Sequence, residues 1–492
     1  MKKALVFVLI LFAATISLTA KLMPVLDFTA FLTFDNTPGG IEGFDWRSAN
    51  GLQNPQWWET KQDYWFDAFE KPAFLNLGFE LDTDKVDMVV LVDVLQDIFV
   101  QIRDRDKIYT NIPFLNKANL DLSFPRVGYI DYTSSEDLIY LSVGRRQIKW
   151  GPGTYGMAIS DSQPYLDNIY FNVSSGISDR WKFSYDLAAL AFKHYLDIGV
   201  EAEGAPQTTF AHRFSFSNPN LRISFTEMNN IYGKVPTFLD WTPIALWHNN
   251  YQDDCSNVMV DMAIEAKLGS VRLFGTLTMD DFRLAEEPNT NPTAIGASAG
   301  AEWNVISGNP FLGKEFSNSR YAIKDDTFHV PGGLNLSYEF YYCSTYMYNR
   351  AVSAGKFTSD FQINSNVGPK KFYDDDAFFL GFKYGPGSIV HLLTISYETT
   401  EMRIGMCASL LQRGSYYIDS PYDDEYKAKY DPLKLPGDVT TVLSIGSDFS
   451  YYPQGGIGMD ISVSYTRDLT HDSGAFKLYA GVKIAIADYL SH

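Results

Sequence analysis

Apolar and polar residues alternate with a period of two along much of this 492-residue chain, most clearly near its end. In residues 475–487, Phe476, Leu478, Ala480, Val482, Ile484 and Ile486 fall on one face of an extended strand. Lys477, Tyr479, Gly481, Lys483 and Ala485 fall on the other. Successive side chains of a strand point to opposite faces, so this stretch has one oily side and one polar or small side. Similar runs, bounded by Gly, Pro, Asn or Asp clusters, recur at 25–34, 74–81, 88–95, 120–124, 139–143, 181–192, 210–216, 221–225, 258–266 and 271–279. They continue at 295–303, 334–342, 378–384, 389–397, 402–411, 439–449 and 459–465. With the closing strand this predicts about 18 strands, and no internal repeat points to a propeller or solenoid.

At the other end, Lys2 and Lys3 precede an unbroken apolar run over 4–14 and a small-residue site ending at Ala20. That is the pattern of a cleaved export signal. The run is shorter than the roughly 20 apolar residues that a spanning helix needs. An exported chain of alternating strands predicts an all-β fold: residues 21–492 as a transmembrane antiparallel β-barrel of about 18 strands (16–20) in the outer membrane of a diderm bacterium. Bacterial single-chain barrels have even strand numbers. Outer-membrane lipid and, during biogenesis, the barrel-assembly machinery are the expected partners.

Aromatic residues make up 15% of the chain, and its 31 Tyr and 9 Trp suit girdles at two membrane interfaces. The same content would serve a secreted β-protein with sugar-binding surfaces. A formal net charge of −19 argues against a nucleic-acid partner, which requires Lys and Arg against phosphates. Cys255, Cys343 and Cys407 are far apart and allow at most one disulfide, and no CxxC suggests a zinc or redox site. The seven histidines are scattered, without HExxH or a GxSxG elbow. No enzyme activity, metal or other cofactor is predicted.

Several breaks are too long for tight turns. Residues 35–72 contain Trp57, Trp58, Trp65, Phe66 and Phe69, which suit a short amphipathic helix that plugs the barrel or lies at the interface. One long ordered loop is the alternative. Further loops are expected at 104–118, 286–293, 307–331, 353–376 and 419–436, and ligand contact is expected on such long loops.

The most distinctive segment is 144–170, where Gly151, Pro152 and Gly153 end a strand with a sharp turn. Arg145, Arg146 and Lys149 concentrate positive charge in an acidic chain. They could face the lumen and bind an anion, or pair with acids such as Asp161 and Asp167 and brace the barrel. This segment, with Gly144, Arg145, Gln147, the Trp150-Gly151-Pro152-Gly153 run, Ile159, Ser160 and Pro164, resembles that of the Wzi family of outer-membrane capsule-assembly proteins. Three later segments are similar to the same family. His212-Arg213-Phe214 leads into 218–227, which ends at Glu227. Residues 243–251, containing His248-Asn249-Asn250, precede Asn257 and Asp261. Residues 275–282 end in Met279-Asp280-Asp281-Phe282.

The resemblance, over 144–282, implies a closed barrel with a plugged or narrow lumen and a non-catalytic, lectin-like role in holding surface polysaccharide. The candidate ligand-binding residues are Arg145, Arg146, Trp150, Asp167, His212, Arg213, Glu227, Trp247, His248, Asn249, Asp280 and Asp281. Rings that stack on sugars and amides that bond to hydroxyls are what such a site needs. The alternative is an outer-membrane porin or solute transporter, which needs an open lumen with charged rings at a constriction. An adhesin is a third reading.

Overall fold

The computed structural model describes residues 21–36, 61–98, 101, 108–113, 115, 120–122, 126–193, 207–234, 236–241, 255–281, 292–313, 318–324, 328, 331–351, 353–363, 372–415, 418, 427, 430–453 and 456–486. The predicted export signal, 1–20, lies outside them, as do Trp247, His248 and Asn249.

Eighteen strands form the wall among the described residues. They are β1 (Lys21–Asp35), β2 (Leu75–Asp82), β3 (Val86–Gln96), β4 (Val127–Thr133), β5 (Ile139–Arg146) and β6 (Leu166–Gly176). Next come β7 (Lys182–Lys193), β8 (Gln207–Asn218), β9 (Leu221–Ile231), β10 (Ser256–Leu268), β11 (Val271–Asp281) and β12 (Ala294–Gly308). The last are β13 (Gly332–Cys343), β14 (Ser388–Glu398), β15 (Met402–Arg413), β16 (Thr440–Tyr451), β17 (Ile457–Asp468) and β18 (Ser473–Ala485). Each pairs antiparallel with the next, and β18 returns to β1 in a register running from Asp27↔Ala485 to Asp35↔Lys477. Closure leaves the sheet without a free edge, which is what lets strands stand in hydrocarbon with every backbone group paired.

The pleat sorts the side chains. On β18, Lys477 and Lys483 turn inward, onto Asp35 at 3.4 Å and Asp27 at 3.2 Å. Val482 and Ile484 turn outward and stay exposed. Leu393, Ile395, Ile404, Met406, Ile445 and Ile461 extend the same outward belt. So broad an exposed apolar surface is unusual on a soluble monomer and is matched by lipid. No described helix is long and apolar enough to cross a membrane.

The two ends of the barrel differ. Short turns at 83–85, 134–138, 177–181, 219–220, 269–270, 399–401 and 452–456 lie at the end that carries Lys21 and Ala485. Only 309–331 is long there. The opposite end carries the long connections, with 469–472 its one short turn.

Two strand expectations need correction. Leu120–Leu122 is a short upper piece that pairs with β3 at Val94–Gln96, and the main strand there is β4, Val127–Thr133. The 378–384 run is not part of the wall: Phe372–Phe379 pairs with Thr358–Ile363 in a separate hairpin. Phe378, Phe379, Leu380 and Phe382 read as a strand because they are apolar, but they are apolar because they are buried. Conversely β6 was not anticipated. Tyr170 faces inward between Ile169 and Phe171, which blurs the alternation, and Asp167, Asn168 and Asn172 look like turn formers. Cys255, Cys343 and Cys407 are all free thiols.

Candidate functional site

Three connections from the long-connection end fold into the lumen. The first is the glycine-rich segment after β5. Ile148–Lys149 pairs in parallel with Ile323–Lys324, which comes from the connection at the other end. The chain then folds back, and the Trp150 amide donates to the Ile159 carbonyl at 3.0 Å. Gly151 has φ +104, and a Cβ on Gly156 would collide with the carbonyls of Ile159 and Trp150. The fold-back therefore requires glycine. Gln147 donates to the carbonyls of Asp161 and Gln163, both at 2.7 Å, and Gln163 in turn to those of Phe379 and Leu380 at 2.8 and 2.9 Å.

The second is α1 (Lys61–Glu70), a short helix within the 35–72 segment. Trp65, Phe66 and Ala68 are buried, and Phe66 and Phe69 pack on Phe378 with centroids 5.2 and 5.6 Å apart. Asp63 accepts from Arg413 at 3.0 Å, and Glu70 pairs with Lys383. Burial is the largest single influence and disfavours the Lys383 ammonium, but Glu70, with Tyr384 and Asp63, together outweigh it and hold the lysine pKa above its ordinary value. The third is the 344–387 connection, whose Tyr346, Met347, Tyr348 and Phe357 are fully buried.

The first and third of these segments build one apolar core in the long-connection half of the lumen, with α1 packed beside it through Phe378. It joins Ile148, Trp150, Met157, Tyr348, Phe379 and Phe382 to inward wall residues from Leu166 on β6 round to Ala475 on β18. Tyr341 and Phe382 stack at 5.0 Å at its centre. Tyr155, packed against Tyr341, Phe382 and Tyr384, has its pKa pushed well up by burial and then by its neighbouring phenols.

The short-turn half is different. A chamber of about 540 Å³ lies beneath α1, between Phe66, Lys71, Arg146, Gln163, Arg403 and Lys483. A second, of about 330 Å³, lies under the Gly151–Gly153 turn beside Glu265, Arg272, Glu302 and Glu339. A third, of about 430 Å³, lies on the other side of α1 towards the long connections, beside Asp35 and Lys477, and shares Glu70, Lys71, Pro72, Asp460 and Tyr479 with the first.

The pleat divides the predicted site residues. Arg145 faces out and forks onto Asp167 at 2.5 and 2.7 Å, whereas Arg146 faces in and binds Asp131 at 3.0 Å and the Tyr140 hydroxyl. Both arginines are thus braces between strands, the second of the two roles their sequence allowed. His212 faces out, 3.0 Å from Glu227 and buried with it. Arg213 faces in, forks onto Asp186 at 3.0 and 2.8 Å and covers the Trp150 ring at 4.4 Å. Asp186 also accepts from Tyr170 and Asn172 at 2.6 and 2.7 Å, a network that no local motif announced. Asp280 faces in and accepts from the Tyr348 amide at 2.7 Å, while Asp281, beyond a register shift in the strand, pairs with Arg350. The nine described candidates therefore form several separate contacts rather than one site. Among the described residues, no group of three or more His, Cys, Asp or Glu side chains could hold a metal ion.

No family model matches the chain, and no curated protein matches it in sequence. Solved structures of outer-membrane proteins align with it over most of their length. The outer-membrane channel DcaP of Acinetobacter baumannii is 9% identical with a TM-score of 0.36, over 95% of this chain and 97% of that one. OccK3 (OpdO) of Pseudomonas aeruginosa is 9% identical with a TM-score of 0.40, over 94% and 95%. Wzi of Escherichia coli, an outer-membrane protein involved in group 1 capsule assembly and a carbohydrate-binding β-barrel, is 14% identical with a TM-score of 0.52, over 94% of this chain and 84% of that one. The chain has the fold of a Wzi-like outer-membrane barrel.

Proposed function

We propose that this protein stands in the outer membrane of a diderm bacterium and holds surface polysaccharide at its long-connection end, as a non-catalytic binding protein. The observation that carries this reading is the apolar core across the lumen, built from wall strands β6 to β18, the glycine-rich segment after β5 and the 344–387 connection. A porin leaves that cross-section to water. Outer-membrane barrels place short turns in the periplasm and long loops outside. On that orientation the core seals the outward half and the long connections face the cell exterior. Trp247, His248 and Asn249, in the connection after β9, are the residues proposed to contact sugar, by stacking and by amide and imidazole hydrogen bonds. Outer-membrane lipid covers the apolar belt, and the barrel-assembly machinery inserts the chain.

One observation favours solute passage as the second reading. The 430 and 540 Å³ cavities share lining residues, so the Glu70–Lys71–Pro72 turn is the partition between them. Purified protein in a planar bilayer separates the two readings. Silence, with retention on immobilised surface polysaccharide from the host strain, is the expected result. Large stable single-channel currents, without retention, would overturn it.

A further inference from the structure

We propose that α1 and the turn that ends it, Glu70–Lys71–Pro72, are a gate across a path for small hydrophilic solutes along β1, β17 and β18. The chambers of about 430 and 540 Å³ meet at that turn, which lines both. Between them they run nearly the height of the wall. The first reaches Asp35 and Lys477, near the long-connection ends of β1 and β18. The second reaches Arg403 and Tyr452, at the short-turn ends of β15 and β16. Ser462 and Ser464 line the first, Ser450 and Lys483 the second, and Asp460 both. Hydroxyls and charges on the inner wall are what a hydrated solute meets in a barrel that conducts.

The closing element is held differently from the core beside it. Among the described residues, α1 contributes none to that core. Its buried face is short, and Phe66 and Phe69 set it against Phe378. Its three acids each reach a cation on a different element: Asp63 to Arg413 on β15 at 3.0 Å, Asp67 to Lys477 on β18 at 3.9 Å, and Glu70 to Lys383. Arg126 adds a hydrogen bond to the Phe69 carbonyl at 2.9 Å. All three carboxylates keep part of their surface in water, and ion pairs of that kind are individually weak. The helix is therefore clasped by separable contacts, while the core next to it is packed solid. Because Glu70 is both the last residue of α1 and part of the partition, a helix that lets go takes the partition with it.

The inference rests on the partition noted for the solute-passage reading and keeps the resting barrel closed, so it stands whether or not the protein also holds polysaccharide. Planar-bilayer recordings of the full-length barrel in potassium chloride test it. Wild type is expected to be silent. Deletion of residues 61–71 should give steady single-channel currents. Asp63→Asn, Asp67→Asn and Glu70→Gln together should give brief openings to a similar level. In the deletion variant, Ser462→Trp, which fills the chamber beside Asp35 and Lys477, should cut the current several-fold. Heat-modifiable migration on a gel verifies that each variant is a folded barrel. A folded deletion variant that stays silent would overturn the inference, as would wild-type currents equal to those of the deletion. So would a triple variant as silent as wild type, since the pairs would then not be the clasp, or a current that Ser462→Trp leaves intact, since the path would then lie elsewhere. Retention on immobilised polysaccharide, measured on the same proteins, tests the surface-polysaccharide reading separately, because that contact is assigned to the long connections.

Discussion

The two halves of the lumen are built on opposite principles. Towards the long connections, Tyr341, Phe382, Met157 and Tyr348 pack without access to solvent. Towards the short turns, charged pairs such as Arg272 with Glu265 and Glu302 stand around cavities. Both halves are enclosed by the same alternating strands, so the wall does not decide which is dry. The inserted segments do. Where the glycine-rich segment and the 344–387 connection meet, apolar side chains can exclude water; where they stop, the inward polar residues keep it.

Substitutions at the boundary and in the dry half should therefore cost most. Asp186→Ala leaves the Arg213 guanidinium buried without its carboxylate, and removing one partner of such a pair costs about 3–5 kcal/mol. Denaturant-induced unfolding from micelles should report that loss, and a cost under 1 kcal/mol would mean that water reaches the pair. In the dry half, Met157→Ala removes a fully buried side chain, for about 2–5 kcal/mol in the same assay.

Outside the barrel, Ile461→Arg on the lipid face of β17 should cost about 2–4 kcal/mol in lipid vesicles if it lies near the bilayer midplane. A neutral result would displace the belt from the membrane. The Lys383–Glu70 link between α1 and the 378–387 segment gives a pH test. Because the folded state raises the Lys383 pKa, its contribution is complete below about 10.5, the unfolded value, and is lost as pH climbs through the higher folded value. Wild type and Lys383→Met should therefore differ at neutral pH and converge only above that window, as read by alkaline unfolding. The smallest effect belongs to the wet half. Arg403→Gln breaks a part-exposed pair with Asp448 and should cost no more than about 1 kcal/mol.

Most of the wall was legible in the sequence because lipid demands an apolar residue at every second position. The strand number came out correctly through two offsetting errors. A luminal hairpin was counted as wall, and β6, with Tyr170 inward, was passed over. The candidate site was much less legible. Arg145 and Arg146, and His212 and Arg213, looked like concentrated chemistry, yet neighbours on a strand face opposite sides of the wall. That rule was available from the sequence. The partners were not: Arg213 meets Asp186 across a strand pair, and Gln163 reaches Phe379 from 216 residues away. Such contacts depend on how the connections fold inside the barrel, and the alternation of the wall carries no record of that.

The pairing of Ile148–Lys149 with Ile323–Lys324 has a mechanical consequence. One partner enters the lumen from the long-connection end and the other from the short-turn end, so the two rims are joined through the middle by a two-residue tie. A tug on the glycine-rich segment from outside would load the 309–331 connection on the far side before any wall strand unzips. So short a pair would part first, so it limits the load that one rim can pass to the other.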